Sequence, residues 1–172
     1  QDVYTVRNDG VQYLRVAIDR LGSADLQPPA VTGGYLLKVD RLAPGEQGFG
    51  LAGRSVAYVD PKEDTIFLPQ REPQRRYLIS FMDDFERALE GPDWRDPVKG
   101  YPAYLDVGAA LDFHLLQVLS GSVDYMAFST FFHLPRGGKL TLGPHWDFDR
   151  ALSSTDGRTA NPRRWNVGPF FD

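Results

Sequence analysis

At Pro73 the apolar residues of this chain change their spacing, and that change limits the folds open to it. Upstream, apolar positions fall in short runs with two-residue alternation, the period of a half-buried strand. Val3-Tyr4-Thr5-Val6 and Tyr13–Ile18 flank Asn8-Asp9-Gly10, a turn signal of hairpin character. A third strand is predicted in TGGYLLKVDR (32–41) and a fourth at Val56–Val59, ended by Asp60-Pro61; residues 43–55, APGEQGFGLAGRS, read as a glycine-rich loop. Downstream, Tyr77, Leu78, Phe81, Phe85 and Leu89 recur at helical spacing, with Pro73 at the start and Gly91-Pro92 at the stop. This is an amphipathic helix whose stripe belongs in the core. A second helix is predicted over 106–119, with Asp106 as N-cap and Gly121 as stop. Its expected buried face is Val107, Ala110, Leu111, Leu115, Val118 and Leu119. The period then returns to two, and Tyr125–Leu134 and Lys139–Leu142 flank Pro135-Arg136-Gly137-Gly138 as a β-hairpin. Strands, then helices, then a hairpin predict α+β rather than alternating α/β.

At 172 residues the chain is expected to form a single domain or a large piece of one. It opens in a predicted strand without Met and closes on GPFFD, so the expectation is a segment of a longer protein. The net charge of −4, with no face-sized basic cluster, argues against a nucleic-acid partner. The absence of cysteine excludes disulfides, thiolate catalysis and zinc–cysteine sites. No apolar run approaches the ~18 residues of a membrane span.

Chemistry concentrates in GPHWDFDRA (143–151), where Asp147 and Asp149 stand two positions apart behind a Gly-Pro turn. In an extended segment, residues i and i+2 point the same way, so both carboxylates could face one divalent cation. The alternative is that Asp149 caps a helix starting at Arg150 while Asp147 accepts backbone hydrogen bonds. Asp124, in SGSVDYMAF, stands at the mouth of the predicted hairpin, whose arms would return Asp147 toward it as an acid–base or metal pair. Against this stands a turn aspartate. His114 is expected as a satisfied histidine of the second helix. His133 and His145 lie in or beside the hairpin, without HExxH or H-x-E spacing for zinc. Trp146, Phe148, Phe131 and Phe132 are read as packing sooner than as a stacking platform. Gly33-Gly34 could admit a phosphate but lacks the GK[ST] of a P-loop, and a turn explains it more simply. There is no GxSxG elbow.

The run YPAYLDVGAALDFHLLQVLSGSVDYMAFSTFFHLPRGGKLTLGPHWDFDRAL resembles the spore coat protein H (CotH) kinase family. Its members look like D-h-h-L-x-E-h-x-N-x-D-x-h-x-x-S-T-Y followed by G-K-h-x-x-G-P-h-W-D-h-D-x-A. TGGYLLKVDR and Arg15-Val16-Ala17-Ile18 resemble the family's upstream strands, so the likeness covers most of residues 3–172. The resemblance implies a diverged, protein-kinase-like α+β domain that binds ATP and Mg²⁺ (or Mn²⁺) and phosphorylates Ser or Thr of secreted, coat or surface proteins. It implies an extracellular, envelope or spore-surface setting, and residues 1–172 as the central and C-terminal part of the domain. Matched position by position, Asp147 falls in the metal-binding aspartate region with Asp149 beside it, and Asp124 on the aspartate of N-x-D with a catalytic or metal role. Asn8 and Asp9 stand where the family carries a glutamate, Ser122 replaces the asparagine of N-x-D, and His133 replaces a lysine. These departures raise a second expectation, a non-catalytic surface or adhesion module that keeps the fold. A two-carboxylate hydrolase is a third, with only the aromatic residues in its favour.

Overall fold

The computed structural model describes the backbone of residues 2–8 and 11–18 and, with side chains, residues 31–152. Strands β1 (Asp2–Asn8) and β2 (Val11–Ile18) pair antiparallel, from Asp2↔Ile18 to Asn8↔Val11. The expected N-terminal strands are therefore present, while Asp9-Gly10 between them and residues 153–172 lie outside the described residues.

The main sheet has five antiparallel strands: β3 (Tyr35–Val39), β4 (Gly48–Leu51), β5 (Arg54–Asp60), β6 (Thr130–Leu134) and β7 (Thr141–Leu142), in the order β4-β5-β3-β6-β7. Of the expected loop at 43–55, residues 43–47 are loop, but Gly48–Leu51 form β4 and β5 starts at Arg54. Gly48 admits the neighbouring strand, since a Cβ there would lie 2.1 Å from the Val56 carbonyl oxygen. Ala52 and Gly53, at φ 48° and 72°, form the two-residue turn between the strands. Both residues at positive φ match the twist of a tight hairpin. Alanine is an unusual occupant there, which hid the signal.

Three helices follow, α1 (Glu63–Ile66), α2 (Glu72–Glu90) and α3 (Val107–Ser120). Gln74, Leu78, Met82, Phe85 and Ala88 form the buried side of α2, with Tyr77 and Phe81 packed at its margin and Leu89 exposed. That side covers one face of the sheet, where Tyr35 and Leu37 of β3, Val56 and Tyr58 of β5, and Phe132 and Leu134 of β6 complete the core. In β6, burial alternates strictly through Thr130, Phe132 and Leu134, as a strand with one covered face requires. The Tyr35 hydroxyl donates to the Val31 carbonyl at 2.5 Å, and burial pushes its ionisation far upward. The Gly33-Gly34 pair also has a packing explanation. A Cβ on Gly33 would overlap the Arg136 backbone, and the Gly34 N–H donates to the Leu134 carbonyl at 2.8 Å.

Helix α3 has the expected caps but a different buried side. Asp106 accepts the Ala109 N–H at 3.1 Å, and Gly121 closes the helix at φ 63°. The buried residues are Phe113 and Gln117, whereas Leu111, Leu115 and Leu119 are 57%, 54% and 80% exposed. This helix is apolar nearly all round, so its periodicity singles out no side. Partners elsewhere in the chain choose it, among them His145, which stacks on Phe113. No described helix is long and apolar enough to cross a membrane.

The contrast between the helices is measurable by chemical denaturation. Leu78→Ala empties a fully buried site and should cost about 2–5 kcal/mol. Leu119→Ala should change stability by less than about 0.5 kcal/mol.

Candidate functional site

Two loops build the acidic site. The first leaves α3 at Gly121 and turns sharply at Asp124, whose carbonyl accepts the Ala127 and Phe128 amides at 3.1 and 2.8 Å. The first arm of the hairpin therefore begins at Thr130 rather than at Tyr125, and Asp124 stands on a turn. Met126 and Ser129 sit in the left-handed region at φ 64° and 51°. Thr130 steadies this backbone, its Oγ1 accepting the Met126 N–H at 2.8 Å and donating to the Phe128 carbonyl.

The second loop follows β7. The Gly143 N–H donates to the Phe131 carbonyl at 2.8 Å, and the chain runs through His145 and Trp146 into Asp147 at φ 61°. The Ala151 N–H then closes a turn on the Phe148 carbonyl, and the Leu152 N–H reaches the Ser120 carbonyl at 2.6 Å. This geometry overturns the extended reading of WDFD. With Asp147 left-handed and Asp149 entering a turn, the i, i+2 rule does not align their carboxylates. No helix starts at Arg150 either, so Asp149 is not a helix cap.

Side chains lace the loops together. Ser129 Oγ donates to Asp147 Oδ2 at 3.0 Å, and Arg150 Nη1 lies 3.3 Å from each oxygen of Asp124. The aromatic residues act as supports, with Trp146 edge-on to Phe131, His145 flat on Phe113 at 4.9 Å, and Phe132 in the core. Asp124, Ser129 and Arg150 line a cleft of about 400 Å³ with Asp40 and Arg41, just past the end of β3, and Arg54, at the start of β5. The Arg41 guanidinium lies 4.5 Å over the Phe128 ring. Sequence reasoning missed Ser129 and all three arginines. They are scattered along the chain, and only the pairing Val39↔Thr130 brings Asp40 and Arg41 beside the turn that carries Ser129. The exposed carboxylates of Asp147 and Asp149 are not among the lining groups, and Asp147 joins the cleft wall through Ser129.

A family model described as CotH kinase protein matches residues 13–169. The chain belongs to the CotH kinase family. No curated protein and no solved structure matches it. Membership in the CotH family suggests a kinase-like function.

For a CotH kinase the chemistry of the donors matters. Among the described residues, no group of three or more His, Asp or Glu is gathered to hold a metal ion. Mg²⁺ does not need one, because it commonly takes one or two carboxylates and fills its shell with water and phosphate oxygens. Asp124, Asp147 and Asp149 are hard oxygen donors, chemically of the kind a Mg²⁺-type ion takes. The histidines do not add to these donors in any evident way. The Tyr125 hydroxyl lies 3.2 Å from His114 Nδ1, and His145 is engaged with Phe113. Nδ1 of His133 is buried with no hydrogen-bond partner.

His133 does carry a pH signature. Desolvation lowers its pKa, partly offset by a backbone hydrogen bond at Gly143 and the charge of Asp106. The unfolded chain therefore binds a proton near the ordinary pKa of about 6.5 while the folded chain resists it. Its contribution to stability is full above that pH and is lost as pH falls. Denaturation midpoints should drop as pH is lowered from about 6.5, and His133→Asn should flatten that part of the profile.

Proposed function

We propose that this chain carries the carboxylate half of a phosphoryl-transfer site in an ATP-dependent CotH protein kinase with a diverged kinase-like fold. On this reading, residues 1–172 are the central and C-terminal part of the domain, and the acceptors are Ser or Thr hydroxyls of coat, secreted or surface proteins. Asp147, with Asp149 beside it in the chain, would supply carboxylate to a Mg²⁺ or Mn²⁺ ion, and Asp124 is the catalytic carboxylate. The observation that carries the reading is the placement of Asp124 in a cleft walled by Arg41, Arg54 and Arg150, with Asp147 tied to the same wall by Ser129.

Phosphoryl transfer asks a protein chiefly to position its reactants and to neutralise developing charge. The metal, when bound, supplies charge neutralisation across the phosphates. The chain's residues supply the rest. Three arginines make an anion-tolerant wall, and guanidinium groups suit phosphate oxygens because they donate in a planar fork. Asp124, held by the turn at Ala127 and Phe128, can orient an incoming hydroxyl and accept its proton. Ser129 fixes the rotamer of Asp147.

A second reading, a binding module that keeps the CotH fold without transfer, draws support from the Arg150–Asp124 contact. One assay separates the two. Protein carrying this chain, given γ-labelled ATP and Mg²⁺, is expected to phosphorylate a protein acceptor only when metal is present. Asp147→Ala and Asp124→Asn should each reduce labelling on the order of a hundredfold or more. Undiminished labelling in Asp147→Ala would sink the proposed mechanism. A folded protein with no ATP/Mg²⁺-dependent thermal shift would favour the binding module.

A further inference from the structure

We infer that Arg41, lying over Phe128, is the residue that receives a phosphate group of a polyphosphate ligand in the cleft, and that this contact does not require a metal ion. The inference rests on the phosphoryl-transfer reading for the nature of the ligand, and deepens it by assigning one group of that ligand to one side chain.

The arginines of the wall are not equivalent. Arg150 is engaged with both oxygens of Asp124. No carboxylate among the described residues pairs with the Arg41 guanidinium. Its neighbour Asp40 turns Oδ1 to the Arg41 backbone N–H at 2.8 Å. What the guanidinium meets is the Phe128 ring, 4.5 Å from its central carbon. The ring face attracts the cation but accepts its N–H groups only weakly, so the donors stay available to an anion.

Phe128 is well fixed for this task. Its N–H donates to the Asp124 carbonyl at 2.8 Å, and its carbonyl accepts Thr130 Oγ1 at 3.1 Å. Met126 and Ser129, at φ 64° and 51°, bracket it in the turn. The strained backbone thus holds a half-buried ring beneath Arg41 instead of sending it into the core.

The cleft's charged side chains are Arg41, Arg54 and Arg150 against Asp40 and Asp124, an excess of one positive charge supplied by the protein itself. Its volume of about 400 Å³ falls in the range of small-ligand sites. Asp147 and Asp149, the carboxylates read as metal-binding, do not line it, which makes phosphate contact and metal contact separable. A guanidinium fork matches phosphate oxygens in a way that the point charge of lysine does not.

The test is calorimetric titration of protein carrying this chain with tripolyphosphate and, separately, with ATP, both in excess chelator. Both should bind. Tighter binding of ATP identifies a nucleotide as the source of the phosphates, and equal affinity identifies the polyphosphate alone; either outcome supports the inference. Arg41→Gln should weaken both ligands about ten- to a hundredfold and flatten the salt dependence. Arg41→Lys should not restore the affinity. Phe128→Leu should weaken binding in the unmodified protein and have almost no effect in Arg41→Gln, since the two side chains act together. Unchanged affinity in a folded Arg41→Gln, full affinity in Arg41→Lys, or equal effects of Phe128→Leu in both backgrounds would each overturn the inference. So would binding that occurs only when Mg²⁺ is added. Each of these leaves the phosphoryl-transfer reading standing, because metal-dependent labelling tests that reading separately. Absence of ATP binding with and without Mg²⁺ overturns both. Arg41 is exposed, so its variants are expected to fold. Should thermal denaturation show Arg41→Gln unfolded, Arg41→Met, which keeps an apolar stem over the ring, takes its place with the same expectations.

Discussion

The pairing of β3 with β6 is the contact on which the rest of this structure depends. Five cross-strand pairs, from Tyr35↔Leu134 to Val39↔Thr130, join segments separated in the chain by β4, β5 and all three helices. Closing so long a loop costs entropy that local contacts avoid, so the pairing must be held by what it buries. Tyr35, Leu37, Phe132 and Leu134 meet α2 on the covered face. A slip of one residue would turn Lys38 inward and Leu37 outward, which pins the register. Gly33, with no Cβ to strike Arg136, lets the two segments close at the far end.

The same register builds the cleft. Past the last pair, β3 runs into Asp40 and Arg41, while β6 is preceded by Ser129 and Phe128, so core packing at one end of the pairing sets side chains in apposition at the other. Asp40 also donates its N–H to the Ser55 carbonyl, beside Arg54, which brings the cation of β5 to the same wall. The residues bearing the strain of this arrangement gather near the acidic loops. Met126, Ser129 and Asp147 are non-glycine residues at positive φ, each costing on the order of 1–3 kcal/mol. They persist because side-chain hydrogen bonds and turn amides over-determine the loop around them. Strain of this kind is more common where a backbone must aim a functional group than where it merely connects elements.

Electrostatically the site is mixed, not simply acidic. Three arginines face two aspartates across a cleft in a chain whose net charge is negative. For a member of the CotH kinase family this combination is chemically coherent, since polyphosphate needs cations and a divalent ion needs carboxylates.

Much of this was legible in the sequence because it depends on local physics. The α2 stripe, the Asp106 and Gly121 caps, the hairpin turn at 135–138 and the GPHWDFD run announce themselves by spacing and by residue chemistry, and the family resemblance followed from their order. Features decided by distant partners were not legible. The exposed leucines of α3, the strand hidden in the glycine-rich 43–55 stretch, the left-handed backbone of Asp147 and the arginine wall all depend on which segments lie side by side. Periodicity fixes which residues share a face, but only long-range strand pairing decides what that face meets. In this protein the sequence by itself determined the main helices, most of the strands and the acidic motif. The tertiary structure decided that Arg41, Arg54 and Arg150 would confront Asp124, because side chains that far apart in the chain can meet only through the β3–β6 register.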